Sequence, residues 1–277
     1  MDPESFLPPM LAVSAEQPFD DPNWWYELKW DGYRALIHQT QRLRIFSRRG
    51  QNLLAWFPEL AALSRYISAP SVLDAEIVAW HEGGPSFEAL AARRGPYLAV
   101  VFDCLYTGDG WHLREPLRAR RARLAKLVAP GGPVVVADGV AGPGRQLLAA
   151  AAERHLEGVM AKHLDGLYWP GRRVRTWQKF VLQQVQWMTA AAADPRPGGG
   201  WMWTLVENPD GSGPVVARLT APVDWRPQAA LIGMRHRLTP PLAVEVGYRR
   251  RTAAGRLRHA SIRQWRDVHD NARPAAP

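Results

Sequence analysis

Cysteine is nearly absent from this sequence: Cys104 is the only one in 277 residues. One thiol cannot build a disulfide framework or a cysteine-based metal site within a single chain, so a reducing compartment is expected. No stretch of about 18 uncharged apolar residues occurs, which argues against a helical membrane span. Residues 1–16 carry acids early and lack a basic start followed by an apolar core, so they do not read as a secretory signal. No internal repeat is visible. These absences together predict a protein of the cytoplasm with no membrane partner; a monomer is also expected.

What is present is enough to fold. Hydrophobic residues make up 47% of the chain, and the length allows two compact units with separate cores. Lys and Arg number 35 against 26 Asp and Glu, a net charge of +9. That excess suits an anionic partner such as nucleic acid, but an arginine-rich proteome gives the same number. Charge alone does not separate the two.

The first two-thirds of the chain alternates strand-like and helix-like patterns. Residues 26–38 and 42–47 read as strands, the first interrupted by an Asp31-Gly32 turn. Helical spacing predicts helices over 57–67, 87–93, 116–128 and 144–155, the third opened by Pro116 and rich in arginine. Further strands are predicted at 71–80, 97–106, 134–137, 157–163 and 176–182. A Pro- and Gly-rich loop at 194–200 then marks a change of composition. Around it lie short strand patterns at 185–190, 201–207, 215–220 and 242–248, with one helix at 228–236. The expectation is an α+β domain of mixed sheets and helices over 1–182. A small all-β domain follows over 183–277, for which an OB-fold is the leading candidate. The last residues, 271–277, read as a frayed tail.

The strongest chemical signal is Lys29-Trp30-Asp31-Gly32-Tyr33-Arg34. A lysine is a nucleophile only when its amine is neutral, and nearby cations or burial favour that form. A glycine turn beside it lets phosphate approach the backbone. An isolated Lys-x-Asp-Gly is more often a solvated surface turn. Here, however, charged residues punctuate apolar strands further along: Leu73-Asp74-Ala75-Glu76-Ile77-Val78, Val101-Phe102-Asp103, Glu157-Gly158-Val159-Met160-Ala161-Lys162 and Trp177-Gln178-Lys179. Charges in such places are costly unless paired or used. The five-residue separation of Glu157 and Lys162 puts them on opposite faces of a regular strand.

In this order the motifs resemble the covalent nucleotidyltransferase superfamily, and most closely the ATP-dependent DNA ligases of the bacterial end-joining type. The resemblance begins at Pro9-Met10-Leu11-Ala12 and runs through Ser47-Arg48-Arg49-Gly50, Phe57-Pro58-Glu59-Leu60 and the Phe87 to Arg93 segment. It resumes at Leu242-Ala243-Val244-Glu245-Val246 and Gly255-Arg256-Leu257-Arg258-His259. It implies a nucleotidyltransferase (ATP-grasp-like) adenylation domain followed by an OB-fold. It also implies ATP as cofactor, with AMP held covalently on Lys29. By the same resemblance, Glu27 reads the adenine amino group with Leu28 beside it in the nucleotide site, Phe102 stacks on the adenine ring, and Glu76 binds ribose or a metal-bound water. Arg34 and Arg48 contact ribose or the DNA 5′-phosphate, and Lys162 and Lys179 hold the α-phosphate. Glu157, with Asp31 and Glu76, serves Mg²⁺ or Mn²⁺, while Arg93 and Arg258 touch DNA. The implied partner is nicked or broken double-stranded DNA at the bacterial nucleoid, with recruitment by other repair proteins an open question.

Three positions depart from the family pattern. Ala75 stands where glycine is usual, Val181 replaces the second of two lysines, and His269 replaces the lysine that ends the C-terminal motif in Arg266-Asp267-Val268-His269. The last two remove cations implied to orient pyrophosphate during self-adenylation. An RNA ligase or capping-type nucleotidyltransferase shares the lysine motif, and a nucleic-acid-binding module with weakened turnover would also fit the departures. In the second domain, Arg235, Arg237, Arg249, Arg250, Arg251, Arg256 and Arg258 form either a phosphate-binding face or a solvated basic surface. Most of the 13 tryptophans are assigned to packing rather than to nucleic acid.

Overall fold

Two long strands of this chain have almost no polar face. Ser71–His81 and Tyr97–Thr107 are buried on both sides along most of their lengths, and they form the centre of the larger sheet. Such strands need cover above and below, which sets the architecture around them. The computed structural model describes residues 1–154, 156–225, 237–252 and 254–267. The helix expected at 228–236, Arg235, the tail, and His269 lie outside the described residues. The chain divides into two compact units, Met1–Leu182 and Gln183–Pro277.

In chain order the first unit holds β1 (Leu11–Ser14), β2 (Asp21–Leu28), β3 (Tyr33–Gln39), β4 (Leu43–Ser47), β5 (Ser71–His81) and β6 (Gly84–Pro85). These are followed by α1 (Phe87–Ala91), β7 (Tyr97–Thr107), β8 (Gly110–Trp111) and α2 (Leu117–Leu127). The unit ends with β9 (Val134–Val136), β10 (Gly139–Gly142), α3 (Gly144–Glu153), β11 (Gly158–His163) and β12 (Arg173–Val181). One sheet has the order β1-β12-β11-β2-β10, the other the order β4-β3-β5-β7-β8, with β6 and β9 at its margins. A core of Met10, Leu36, Val78, Val100, Phe102 and Trp177 joins residues of both sheets. On the opposite side of the larger sheet, Phe57, Leu60, Leu63, Leu90 and Leu124 pack against Ile37, Leu73 and Val101. Helix α3 covers the smaller sheet through Leu147, Leu148 and Ala151, against Tyr26, Val159 and Phe180.

The second unit consists of β13 (Gln184–Pro195), β14 (Trp201–Val206), β15 (Ala217–Thr220), β16 (Arg237–Tyr248), β17 (Arg250–Arg251), β18 (Leu257–Arg258) and β19 (Ser261–Asp267). Five of them form an antiparallel sheet, β15-β14-β13-β16-β19, and β17 pairs with β18. Its core centres on Trp203, which meets Trp225 and Trp265 edge-on.

Three expectations need correction. Residues 26–38 are not one interrupted strand: β2 and β3 belong to different sheets, so the turn is a crossover between layers. The segment expected as a helix at 57–67 is a 3-10 helix, Pro58–Arg65. The apolar residues Phe57, Leu60 and Leu63 recur every third position, which matches three residues per turn rather than 3.6. The strand expected at 185–190 extends to Pro195, taking in the start of the supposed loop.

Two arginines of α2, Arg120 and Arg121, turn inward. Arg120 is fully buried and donates to Asp103 through Nε and Nη2 (2.7 and 2.9 Å), and through Nη1 to the carbonyls of Glu115 (2.5 Å) and Gly166 (3.0 Å). This pair ties α2 to the central strand β7. Arg120→Ala leaves Asp103 buried without its cation and is expected to cost about 3–5 kcal/mol in denaturant unfolding. Arg120→Met combined with Asp103→Leu should recover most of that loss. A single variant within about 1 kcal/mol of wild type contradicts this account.

Candidate active site

The site is built where β2 leaves the smaller sheet and the chain crosses to β3 in the larger one. Lys29 directly follows β2, and its backbone N–H donates to the Gly158 carbonyl at 2.9 Å, so the crossover stays anchored to β11. Gly32 has to be glycine: an added Cβ would collide with the Ile77 carbonyl of β5, and the Gly32 N–H donates to Glu76 Oε1 at 3.2 Å. The crossover is thereby pinned to one sheet at each end, with the Lys29 side chain between them.

Register brings the remaining groups together. Met160 of β11 lies opposite both Glu27 of β2 and Lys179 of β12, and two residues on Lys162 lies opposite Trp177. With a period of two, Glu27, Lys162, Trp177 and Lys179 share one face of the smaller sheet. From the larger sheet, Arg34 of β3 is opposite Glu76 of β5. A register shift between β5 and β7 leaves Phe102 as an extra residue, a bulge that re-aims its side chain. A cavity of about 210 Å³ is lined by Glu27, Leu28, Lys29, Arg34, Arg48, Glu76, Phe102, Lys162 and Lys179, all expected from the sequence. Leu11, Ala12, Trp30, Met160, Arg173 and Trp177 complete its wall.

Glu157 belongs to the same constellation, contrary to the alternation expected of it and Lys162. It precedes β11, and Gly158 has φ +142°, which breaks the regular strand. Glu157 therefore meets Lys29, Oε2 to Nζ at 2.6 Å, while Lys162 pairs with Glu27 on the same side. Asp31 lies half-buried in the crossover, and no residue of the cavity wall comes from α1 or the turn after it. Arg93 is exposed there, in the left-handed region at φ +56°. Arg258 lies in β18 of the second unit. Val181 is the last residue of β12, opposite Gly158, and Ala75 is fully buried in β5.

Several residues of this network were given no role by the sequence. Asp74 is buried and binds the Arg34 guanidinium through both oxygens, at 2.5 and 2.6 Å. It also accepts from the Tyr168 hydroxyl at 2.6 Å, which in turn accepts from the Met10 N–H at 3.0 Å. Burial works against the Arg34 cation, but Asp74 more than offsets it, so its pKa lies above the ordinary value. Burial and the Asp74 charge raise Tyr168 well above its usual range, which keeps its hydroxyl a donor. Arg34 lies 4.7 Å and Lys162 4.0 Å from the Phe102 ring centroid. Burial lowers the Lys162 pKa, against the opposing pull of Glu27. Glu76 is pushed up to about 7 by burial, against Arg34 and Lys29 and with help from Glu157 and Asp74.

Comparison with known proteins agrees with this geometry. Residues 9–180 match the family described as the ATP dependent DNA ligase domain. The multifunctional non-homologous end joining protein LigD of Mycolicibacterium smegmatis is 29% identical over 98% of this chain, which spans 39% of that protein's length. The solved ligase domain of Mycobacterium tuberculosis LigD shares the fold with a TM-score of 0.60 and 27% identity, covering 94% of this chain and 95% of that one. A mycobacterial DNA ligase D complexed with ATP and MES gives a TM-score of 0.59 at 27% identity, covering 95% of each chain.

The Glu76 shift has a stability consequence. Between pH 4.5 and 7 the native state keeps a proton on Glu76 that the unfolded chain has released, so this group lowers stability as pH rises through that window. Glu76→Gln removes the effect. The variant is expected to gain on wild type between pH 5 and 7.5, by at most about 3 kcal/mol. Parallel stability curves across that range contradict the assignment.

Proposed function

The chain belongs to the ATP-dependent DNA ligase domain family, and on that premise we propose that it seals breaks in double-stranded DNA through AMP carried on Lys29. The observation that carries this reading is the Lys29 amine, facing the Glu157 carboxylate at 2.6 Å in a cavity whose wall also holds Lys162, Lys179, Arg34 and Arg48. A nucleophile, a proton acceptor and several cations for phosphate occur in one place.

The first step follows from that arrangement. Glu157 takes a proton from the Lys29 ammonium, and the freed amine attacks the α-phosphorus of ATP. A P–N bond forms, the bond to the bridging oxygen breaks, and its electron pair leaves with pyrophosphate. Lys162 and Lys179 stabilise the charge that gathers on the α-phosphate oxygens. AMP then passes to the 5′-phosphate of a nick, releasing Lys29, and the 3′-hydroxyl displaces AMP to close the phosphodiester. Arg34, fixed by Asp74, and Arg48 hold ribose or the DNA 5′-phosphate in this reading.

The residues fit a hard divalent cation such as Mg²⁺ or Mn²⁺. Glu76 and Glu157 both act on Lys29 electrostatically, whereas no group of three His, Cys, Asp or Glu that could hold a metal occurs among the described residues. That donor set suits an ion that takes one or two carboxylates and fills its shell with water and substrate phosphate. When bound, it supplies Lewis-acid stabilisation of phosphoryl oxygens.

The second unit is read as an OB-fold that clamps the duplex, Arg258 among its contacts. An antiparallel five-stranded sheet with a basic composition supports that reading. No helix among the described residues is long and apolar enough to cross a membrane. The test is sealing of a nicked duplex with ATP and Mg²⁺ or Mn²⁺. Wild type should seal it, and Lys29→Ala should lose at least about a thousandfold with ATP while keeping some closure of a pre-adenylated nick. Equal sealing by wild type and Lys29→Ala with ATP overturns the proposal.

A further inference from the structure

Arg121 of α2 is not part of the cavity wall, yet it holds one of the residues that is. Its guanidinium is fixed from three sides. Nη1 reaches Glu27 Oε2 at 3.3 Å, Nη2 donates to the Ala137 carbonyl at 2.9 Å, and the group lies over Trp25 with Cζ 4.1 Å from the ring centroid. The side chain is 13% exposed and that of Glu27 only 2%. The other carboxylate oxygen, Glu27 Oε1, pairs with Lys162.

These contacts matter when a nucleotide enters, and here the argument rests on the reading above. Lys162 is then needed at the α-phosphate, and one ammonium cannot stay in full contact with both Glu27 and phosphate. As Lys162 turns away, a carboxylate that is almost completely out of water would lose its counter-charge, which is strongly unfavourable. Arg121 remains. It is always charged, its planar fork is held by Ala137 and Trp25, and it engages the oxygen that faces away from Lys162.

We propose that Arg121 is a positioning residue that sets base specificity: by holding Glu27 through Oε2 it leaves Oε1 to the cavity wall that Glu27 shares with Phe102. An ionised carboxylate is an acceptor only. It accepts from the 6-amino group of adenine and repels the 6-carbonyl oxygen of hypoxanthine or guanine. A site that commits a buried charge to one hydrogen bond rejects analogues that cannot form it.

The test compares ATP with inosine triphosphate, whose base differs at position 6. Binding to the full chain is read by tryptophan fluorescence, since Trp177 lines the cavity, and labelling of Lys29 is followed in parallel. Wild type should bind ATP at least about tenfold more tightly than inosine triphosphate. Arg121→Met keeps an apolar stem against Trp25 but removes the charge. It should weaken ATP about tenfold or more, change inosine triphosphate by less than about threefold, and so erase the preference. Arg121→Lys restores the charge without the fork and should recover part of the preference. It also serves as the reporter if the methionine variant fails to fold. A merely structural role would weaken both nucleotides equally, and an unchanged ratio in the variants overturns the proposal, as does a wild type without preference. A wild type that prefers ATP but never labels Lys29 would instead sink the sealing mechanism and leave the base assignment standing.

Discussion

Charge buried between two sheets persists only where a partner lies within reach, and the first unit is arranged to meet that condition. Asp74 answers Arg34, Glu27 answers Lys162 and Arg121, Glu157 answers Lys29, and Asp103 answers Arg120. Each pair joins elements distant in sequence, so each also fixes how β2, β3, β5, β7, β11 and α2 are placed. Replacing such pairs with apolar residues often leaves stability unchanged or improves it. Their presence is therefore better explained by use than by folding. The core around Met10, Leu36, Phe102 and Trp177 joins the two sheets, and the apolar cores on their outer faces cover them. The ion pairs hold the chemistry in place between them.

That division explains what was legible in the sequence. The long apolar strands, the arginine-rich helix and the change of composition after residue 182 all follow from periodicity and turn chemistry, which are local. The cavity residues were legible for another reason: the ordered motifs from Glu27 to Lys179 carry the family resemblance, and nine residues named from it line the cavity. Local reading failed where a long-range partner decides the outcome. Nothing near Tyr168 announces that its hydroxyl bridges Asp74 and the Met10 N–H. Arg121 is one cation among several on α2, and periodicity cannot say that it faces Glu27. The alternation rule misplaced Glu157 because a glycine at φ +142° sits between it and the strand. The break between β2 and β3 was visible as a turn, but a turn does not reveal that the chain changes sheets.

The same geometry gives each cation a distinct share of the work. Lys29 is 19% exposed beside its carboxylate. Lys162 is 1% exposed and is held by Glu27. Arg34 is held through both Asp74 oxygens and offers a fixed surface rather than a mobile charge. Val181, at the end of β12 opposite Gly158, adds no charge to this set.

The central claim is that the amine facing Glu157 is the one that becomes covalently charged with AMP. Intact-mass measurement of the purified chain after incubation with ATP and magnesium or manganese, followed by peptide mapping, tests it most directly. The account predicts a single AMP adduct on Lys29, released by pyrophosphate and absent from Lys29→Arg. An adduct on Lys162 or Lys179, or one that persists undiminished in Lys29→Arg, would contradict it.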